Sequence, residues 1–317
     1  MNQYKRKILI TGGAGNIGSS LAARLIADKA NYVVVADNLS TGHLKKLPAR
    51  KLPNWRFVKL DVNEMDDLSP VMCSVEFDYV FHYAAVVGVK RTLENPLRVL
   101  ADIDGIRNVL LLSKNTGVKR VFYSSSSEVY GEPFEIPQNE DTTPLNSRLP
   151  YAIVKNLGES YFKCFQREFG LDYTIFRFFN TYGPQQSEDF VLPKFVNAAL
   201  RGEDITIYGD GSQTRTFCYV DDNIETAVKT LYENLAVNET LNIGSDREIT
   251  ILKLAELVVK RVGSSSAIRR LPPLAEGDMT RRCPDNTNMK RILGRDLLPL
   301  EKGLDKLIKV KKAALNL

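Results

Sequence analysis

The stretch Thr11-Gly12-Gly13-Ala14-Gly15-Asn16-Ile17-Gly18 constrains the fold of this chain more than any other. Residues 7–11 before it read as a short apolar strand, and residues 17–28 after it carry helical periodicity. A strand, a glycine turn and a helix in that order open a βαβ unit, whose right-handed crossover leads into a parallel sheet. Gly12, Gly15 and Gly18 stand at G-x-x-G-x-x-G spacing. Such a turn lets the backbone approach a pyrophosphate, which the helix N-terminus attracts. A second strand, residues 32–37, ends in Asp37, 19 residues beyond Gly18. A carboxylate there accepts the adenine-ribose hydroxyls and repels a 2′-phosphate, so the expected cofactor is NAD and not NADP.

The alternation continues, with strands expected at residues 56–60, 79–82, 118–124 and 173–179 and long helices at 96–115 and 149–169. Strands alternating with helices predict an α/β fold, a Rossmann doubly wound parallel sheet. After Asn180 the rhythm shortens, with a strand expected at 241–243 and a helix at 249–262. We therefore expect a NAD-binding Rossmann domain over residues 1–180 and a smaller C-terminal α/β substrate lobe over 181–317, the segment near 214–240 returning to the first domain. A cleft between two such lobes suits a ligand. Asp61 and Val62, after the third strand, are expected at the adenine edge. Ala84 and Ala85, after the fourth, would let the backbone approach the ribose next to nicotinamide.

Composition excludes several classes. The 317 residues carry a net charge of +5, too mild and too dispersed to argue for nucleic acid but suited to an anionic small molecule. Four cysteines (Cys73, Cys164, Cys218, Cys283) and two histidines (His43, His82) have no metal-ligand or disulfide-framework spacing, so no metal is expected. No apolar run reaches the length of a membrane span and no signal-peptide core is read, so the expectation is a reduced, cytoplasmic, soluble protein. The basic cluster Lys306, Lys309, Lys311 and Lys312 reads as a solvated helix face.

Tyr151 and Lys155 stand four apart in the second long helix and so share one face. An ammonium beside a phenol favours the phenolate, bringing its pKa toward one useful for proton transfer. Upstream, a strand runs into Ser124-Ser125-Ser126-Ser127-Glu128. At the carboxyl end of a central strand such hydroxyls face the cofactor crevice, where one can bond the sugar oxygen whose proton Tyr151 removes.

With these blocks in hand, the chain resembles the extended short-chain dehydrogenase/reductases of the nucleotide-sugar epimerase, dehydratase and decarboxylase group. TGGAGNIG, DNLSTG, SSSSEVYG, YAIVK, RFFNTYGP, YGDGSQTRTFCYVDD and NIGS carry the resemblance along nearly the whole chain. It implies Ser126 as the catalytic hydroxyl, Tyr151 as the base, and Lys155 as the group that lowers its pKa and holds the nicotinamide ribose. It also implies cofactor contacts from Gly12, Gly15, Asn16, Ile17, Gly18, Asp37, Asn38, Ser40, Thr41 and Gly42. Asn180 and Arg215 are implied near the diphosphate of a nucleotide diphosphate sugar, and a homodimer through the helices at 96–115 and 149–169.

The resemblance leaves the reaction open. A 4,6-dehydratase would carry an Asp where Ser127 stands. A UDP-glucuronate decarboxylase would carry Thr-Ser-Glu and a late Arg before Pro-Asp; Ser126, Ser127, Glu128 and Arg282 fit, but the loop after Pro184 lacks that group's Arg-Met pair. A 4-epimerase, acting through a transient 4-keto sugar, fits DNLSTG and YAIVK, although Ala275 replaces its Arg before Glu276-Gly277-Asp278, and Arg281 or Arg282 would have to supply the phosphate contact. We place the epimerase first and the decarboxylase second. Net 4-dehydrogenation, and a catalytically silent NAD-binding scaffold on the same fold, are the remaining readings.

Overall fold

The computed structural model describes residues 4–48, 52–132, 134–272 and 281–315. Its strands are β1 (Arg6–Thr11), β2 (Asn31–Asp37), β3 (Trp55–Lys59), β4 (Tyr79–His82), β5 (Arg120–Ser126), β6 (Asp172–Phe178), β7 (Thr181–Tyr182), β8 (Ile205–Tyr208), β9 (Thr214–Thr216), β10 (Cys218–Tyr219), β11 (Glu239–Ile243), β12 (Glu248–Thr250) and β13 (Ile268–Leu271). The helices are α1 (Asn16–Ile26), α2 (Met65–Ser74), α3 (Val89–Glu94), α4 (Pro96–Leu100), α5 (Asp102–Thr116), α6 (Pro150–Phe169), α7 (Val191–Arg201), α8 (Val220–Tyr232), α9 (Ile251–Val262), α10 (Thr287–Leu293) and α11 (Leu300–Leu315).

Seven strands form one parallel sheet in the order β11-β6-β5-β4-β1-β2-β3. Ile8, Leu9 and Ile10 of β1 and Val33, Val34 and Val35 of β2 are all fully buried. Consecutive residues of a strand point to opposite faces, so continuous burial means that both faces are covered, as a parallel sheet requires. One layer is α2, α5 and α6, packed on one another; in the other, α1 packs on α8. The strand order reverses between β1 and β4, which opens a crevice at their carboxyl ends. Beyond β6 the chain forms small two-stranded pairings, β10 with β7, β12 with β9 and β13 with β8.

Three elements differ from the sequence expectation. The single helix expected over 96–115 is two helices that meet at Ala101. There the Asp102 carboxylate accepts the Val86 amide at 2.7 Å, drawing the start of α5 toward the loop after β4. The strand expected to stop at Ser124 continues to Ser126, because Ser125 and Ser126 stay in register with Arg177 and Phe178 of β6. Their hydroxyls have side-chain partners and leave the backbone ladder intact. Helix α2, with Pro70 inside it, was not anticipated.

Candidate active site

The glycine turn is fixed by close approach. Gly12 has φ of 65°, and a Cβ there would lie 2.6 Å from the Ala84 amide nitrogen. A Cβ on Gly18 would lie 2.3 Å from the Gly12 carbonyl oxygen. Neither position accepts a side chain, so β1, α1 and the end of β4 meet with room only for backbone. Helix α1 starts after Gly15 with no side-chain cap and no acidic residue in its first turn, leaving the amides around Asn16 and Ile17 for an anion. Asn16 Oδ1 is buried there without a hydrogen-bond partner among the described residues.

Asp37, at the end of β2, accepts the Ala14 amide at 2.9 Å and the Leu39 amide at 2.7 Å. A carboxylate has further lone pairs, so both bonds orient it without exhausting it. A Cβ on Gly42 would come within 2.7 Å of Asp37 Oδ1. Asn38 bonds Asp61 at 2.9 Å and accepts the Ser40 amide at 2.9 Å, so the segment through Ser40 and Thr41 curls over the ends of β2 and β3. The Val62 carbonyl accepts from Asn108 at 3.1 Å, and the Ala84 amide donates to Thr11 Oγ1 at 3.3 Å, with half-buried Ala85 beside it. The cradle and its carboxylate fit a dinucleotide: the turn would hold the pyrophosphate and Asp37 the adenine ribose. When bound, NAD supplies a reversible hydride acceptor.

Next along the crevice lie the residues the sequence marks out for proton transfer. Pro150 opens α6, and Tyr151 and Lys155 follow on one face. Lys155 is buried; its ammonium donates to the Ser124 carbonyl at 2.7 Å and lies 5.8 Å from the Tyr151 ring centroid. Ser126 accepts the Glu128 amide at 3.2 Å and hydrogen-bonds the Tyr151 hydroxyl. Burial and then the Glu128 charge push the Tyr151 phenol well above its ordinary value, while Ser126 and Arg282 oppose them. Among the protein groups alone, burial outweighs the lowering expected from Lys155.

Burial brings the Lys155 ammonium down to about 8, against the opposing charges of Asp102 and Glu159. A step that needs this charge is complete below pH 8 and fades above it. We expect kcat to fall about tenfold per pH unit above that point, and Lys155→Arg to remove the alkaline limb from a measured pH profile. A profile flat to high pH would contradict the requirement.

The remaining predicted residues separate into two groups. Glu128 and Arg282 form an ion pair at 2.8 Å, largely shielded from solvent, and both act on the Tyr151 hydroxyl. Arg282 is held there because the Gln138 amide donates to the Cys283 carbonyl at 2.8 Å, stitching its segment to the loop beyond Glu128. Ser127 is buried in the same turn. Arg281 instead makes a two-pronged contact with Glu248, at 2.7 and 2.6 Å. Glu248 also takes the Thr214 hydroxyl, next to Arg215, whose guanidinium donates to the Thr214 carbonyl at 2.7 Å. The Asn180 carbonyl accepts the Cys218 amide at 2.9 Å, tying the end of β6 to β10. Ala275 and Glu276-Gly277-Asp278 lie outside the described residues.

Two participants escaped the sequence reading. A main-chain carbonyl such as that of Ser124 leaves no residue signature. Asp102 was hidden because the sequence places it inside a continuous helix, and only its bond to the Val86 amide brings it to the loop after β4.

Comparison with known proteins agrees with this geometry. The profile of the NAD dependent epimerase/dehydratase family matches residues 8–244. A UDP-N-acetyl-alpha-D-glucosaminuronate decarboxylase of Bacillus cytotoxicus is 36% identical over 304 residues, covering 91% of this chain and 92% of that protein. UDP-glucuronic acid decarboxylase 1 of Danio rerio is 35% identical over 313 residues, covering 96% of this chain and 72% of that protein. Among solved structures, the UDP-glucose 4-epimerase of Thermotoga maritima with UDP-glucose superposes with a TM-score of 0.91 at 33% identity, covering 98% of this chain and 99% of that one. This chain is thus an enzyme of the NAD-dependent epimerase/dehydratase family, the extended short-chain dehydrogenase/reductases that act on nucleotide sugars.

Proposed function

We propose that this enzyme decarboxylates a UDP-linked uronic acid through a 4-keto intermediate. The observation that carries the proposal is the Glu128–Arg282 ion pair, which meets Ser126 at the Tyr151 hydroxyl. Tyr151 would take the proton of the sugar 4-hydroxyl, held by Ser126, while bound NAD would supply the acceptor for the hydride of C4. The product is a β-keto acid, whose carboxylate is lost readily because the ketone accepts the electron pair left on C5. Arg282 orients that carboxylate, and the Glu128 charge beside it favours expulsion of neutral carbon dioxide. The enolate left by that loss takes a proton at C5 from solvent water, which restores the ketone, and Tyr151 then returns a proton to the C4 oxygen as that ketone is reduced. The two decarboxylase relatives support the same reading.

A second reading, 4-epimerisation, is supported by the close superposition on a UDP-glucose 4-epimerase and by the helix start Tyr151-Ala-Ile-Val-Lys155. Incubation with UDP-glucuronate and UDP-glucose, followed by NMR and mass spectrometry, separates them. Loss of carbon dioxide from the uronate is the expected result. Unchanged mass with inverted C4 would establish the epimerase, and accumulating reduced nicotinamide would establish net dehydrogenation.

We further propose a homodimer built on α4, α5 and α6, which pack against one another and expose Leu97, Leu100, Leu111, Ile153 and Leu157 to solvent. Leu97 is 81% exposed, unusual for leucine on an ordered helix. Light scattering is expected to give a dimer, and Leu97→Glu with Leu157→Glu a folded monomer. A monomeric wild-type protein would refute this assembly.

A further inference from the structure

Beneath the reacting groups lies a buried ion pair to which the mechanism above assigns no part. Glu159 of α6 and Arg177 of β6 are only 1% and 2% exposed. Glu159 Oε1 accepts from Arg177 Nε at 2.9 Å and Oε2 from Arg177 Nη2 at 2.7 Å. Oε1 also accepts the Ser125 hydroxyl at 2.5 Å. Arg177 Nη1 donates to the Tyr130 hydroxyl at 2.9 Å and to the Glu140 carbonyl at 3.0 Å. The Tyr130 hydroxyl donates in turn to Asn242 Oδ1 at 2.8 Å.

Three members of this network lie close in sequence to working groups. Ser125 precedes Ser126, Tyr130 closes the turn that carries Ser127 and Glu128, and Glu159 stands one helical turn beyond Lys155. The Ser126 strand, the Glu128 turn and the Tyr151–Lys155 helix are three separate elements, and one carboxylate with its guanidinium bonds all three. Stability alone gives no reason for such a pair, since a buried ion pair often adds nothing over apolar residues of equal volume. Its geometric value is different: bidentate, charge-assisted bonds hold angles as well as distances.

We propose that Glu159 and Arg177, with Ser125, are positioning residues that set the register of α6 against β5 and the 127–130 turn, so that Ser126, Tyr151 and Lys155 converge on one sugar hydroxyl. The proposal rests on the reading that Tyr151 and Lys155 serve hydride transfer, and is independent of the fate of the ketone. The charge of Glu159 also supports the ammonium of Lys155 against burial.

Two variants test it. Ser125→Ala removes one hydroxyl and leaves the ion pair in place. We expect kcat to fall about tenfold with KM unchanged, because small misplacements of reacting groups are costly, and Ser125→Thr to restore it. In Glu159→Leu/Arg177→Met the core stays apolar and filled; kcat is expected to fall about a hundredfold, with the alkaline limb of the pH profile moved to lower pH. An unchanged kcat in Ser125→Ala overturns the proposal, as does a lowered melting temperature with full activity per folded molecule. The Lys155 resonance in ε-13C-lysine-labelled protein, assigned with Lys155→Met, needs no substrate. Its displacement in Ser125→Ala, which leaves every charge in place, supports positioning even if the wild type converts no nucleotide sugar, a result that would overturn the functional reading alone; an unmoved resonance in that variant overturns positioning.

Discussion

Replacing Tyr151 with phenylalanine is expected to lower kcat about a thousandfold while leaving nucleotide-sugar and NAD affinity nearly unchanged. The substitution removes one oxygen, which bonds Ser126 and, on the proposed mechanism, takes the proton of a sugar hydroxyl. The ring remains packed beside the apolar cluster of the α2–α5–α6 layer, so folding is not at risk. Lys155→Met should cost a comparable factor, and the double variant little more, because groups that act as a unit are not additive. Single-turnover oxidation, followed as reduced nicotinamide, checks this directly. A Tyr151→Phe enzyme within tenfold of wild type would mean that another base carries the reaction.

The parts of this site that were legible in the sequence are those whose chemistry is local. The glycine turn could be read because strand, turn and helix are contiguous, and the atoms that forbid a Cβ on Gly18 belong to the same turn. Tyr151 and Lys155 could be read because helical geometry fixes the relation of residues four apart. Gly12 already needs a partner from elsewhere, Ala84, and its left-handed backbone follows from the fold as much as from the motif. The break at Ala101 was hidden because it comes from a bond between Asp102 and the Val86 amide, made across the end of β4. The same holds for the serine run, whose hydroxyls look like loop formers until Glu159 and Tyr151 provide partners across the fold. Proximity of the Tyr151 phenol to an ammonium was visible in the pattern, but its burial and the Ser124 carbonyl that takes the Lys155 ammonium were not.

The largest effect on substrate choice is expected from Arg282→Met. Arg282 is 6% exposed and already bonds Glu128 at 2.8 Å, yet a guanidinium has five donors and can hold a second carboxylate beside the first. A hydrogen bond to a charged group contributes about 1.5–3 kcal/mol, so losing a two-pronged contact predicts a loss of about a thousandfold in kcat/KM for UDP-glucuronate. Removing the arginine also leaves Glu128 facing the substrate carboxylate with nothing between them, and repulsion acts in the same direction. A neutral sugar nucleotide such as UDP-glucose makes no such demand, and its dissociation constant should change by less than about threefold. Glu128→Gln tests the other half of the pair. It removes the charge that drives carbon dioxide out and, with it, a charge that disfavours the Tyr151 phenolate, so oxidation should proceed and decarboxylation lag, with a burst of reduced nicotinamide before product forms. If Arg282→Met weakened UDP-glucose and UDP-glucuronate equally, the guanidinium would be acting on a feature common to both sugars. The ion pair would then no longer favour decarboxylation, and the 4-epimerase reading would take its place.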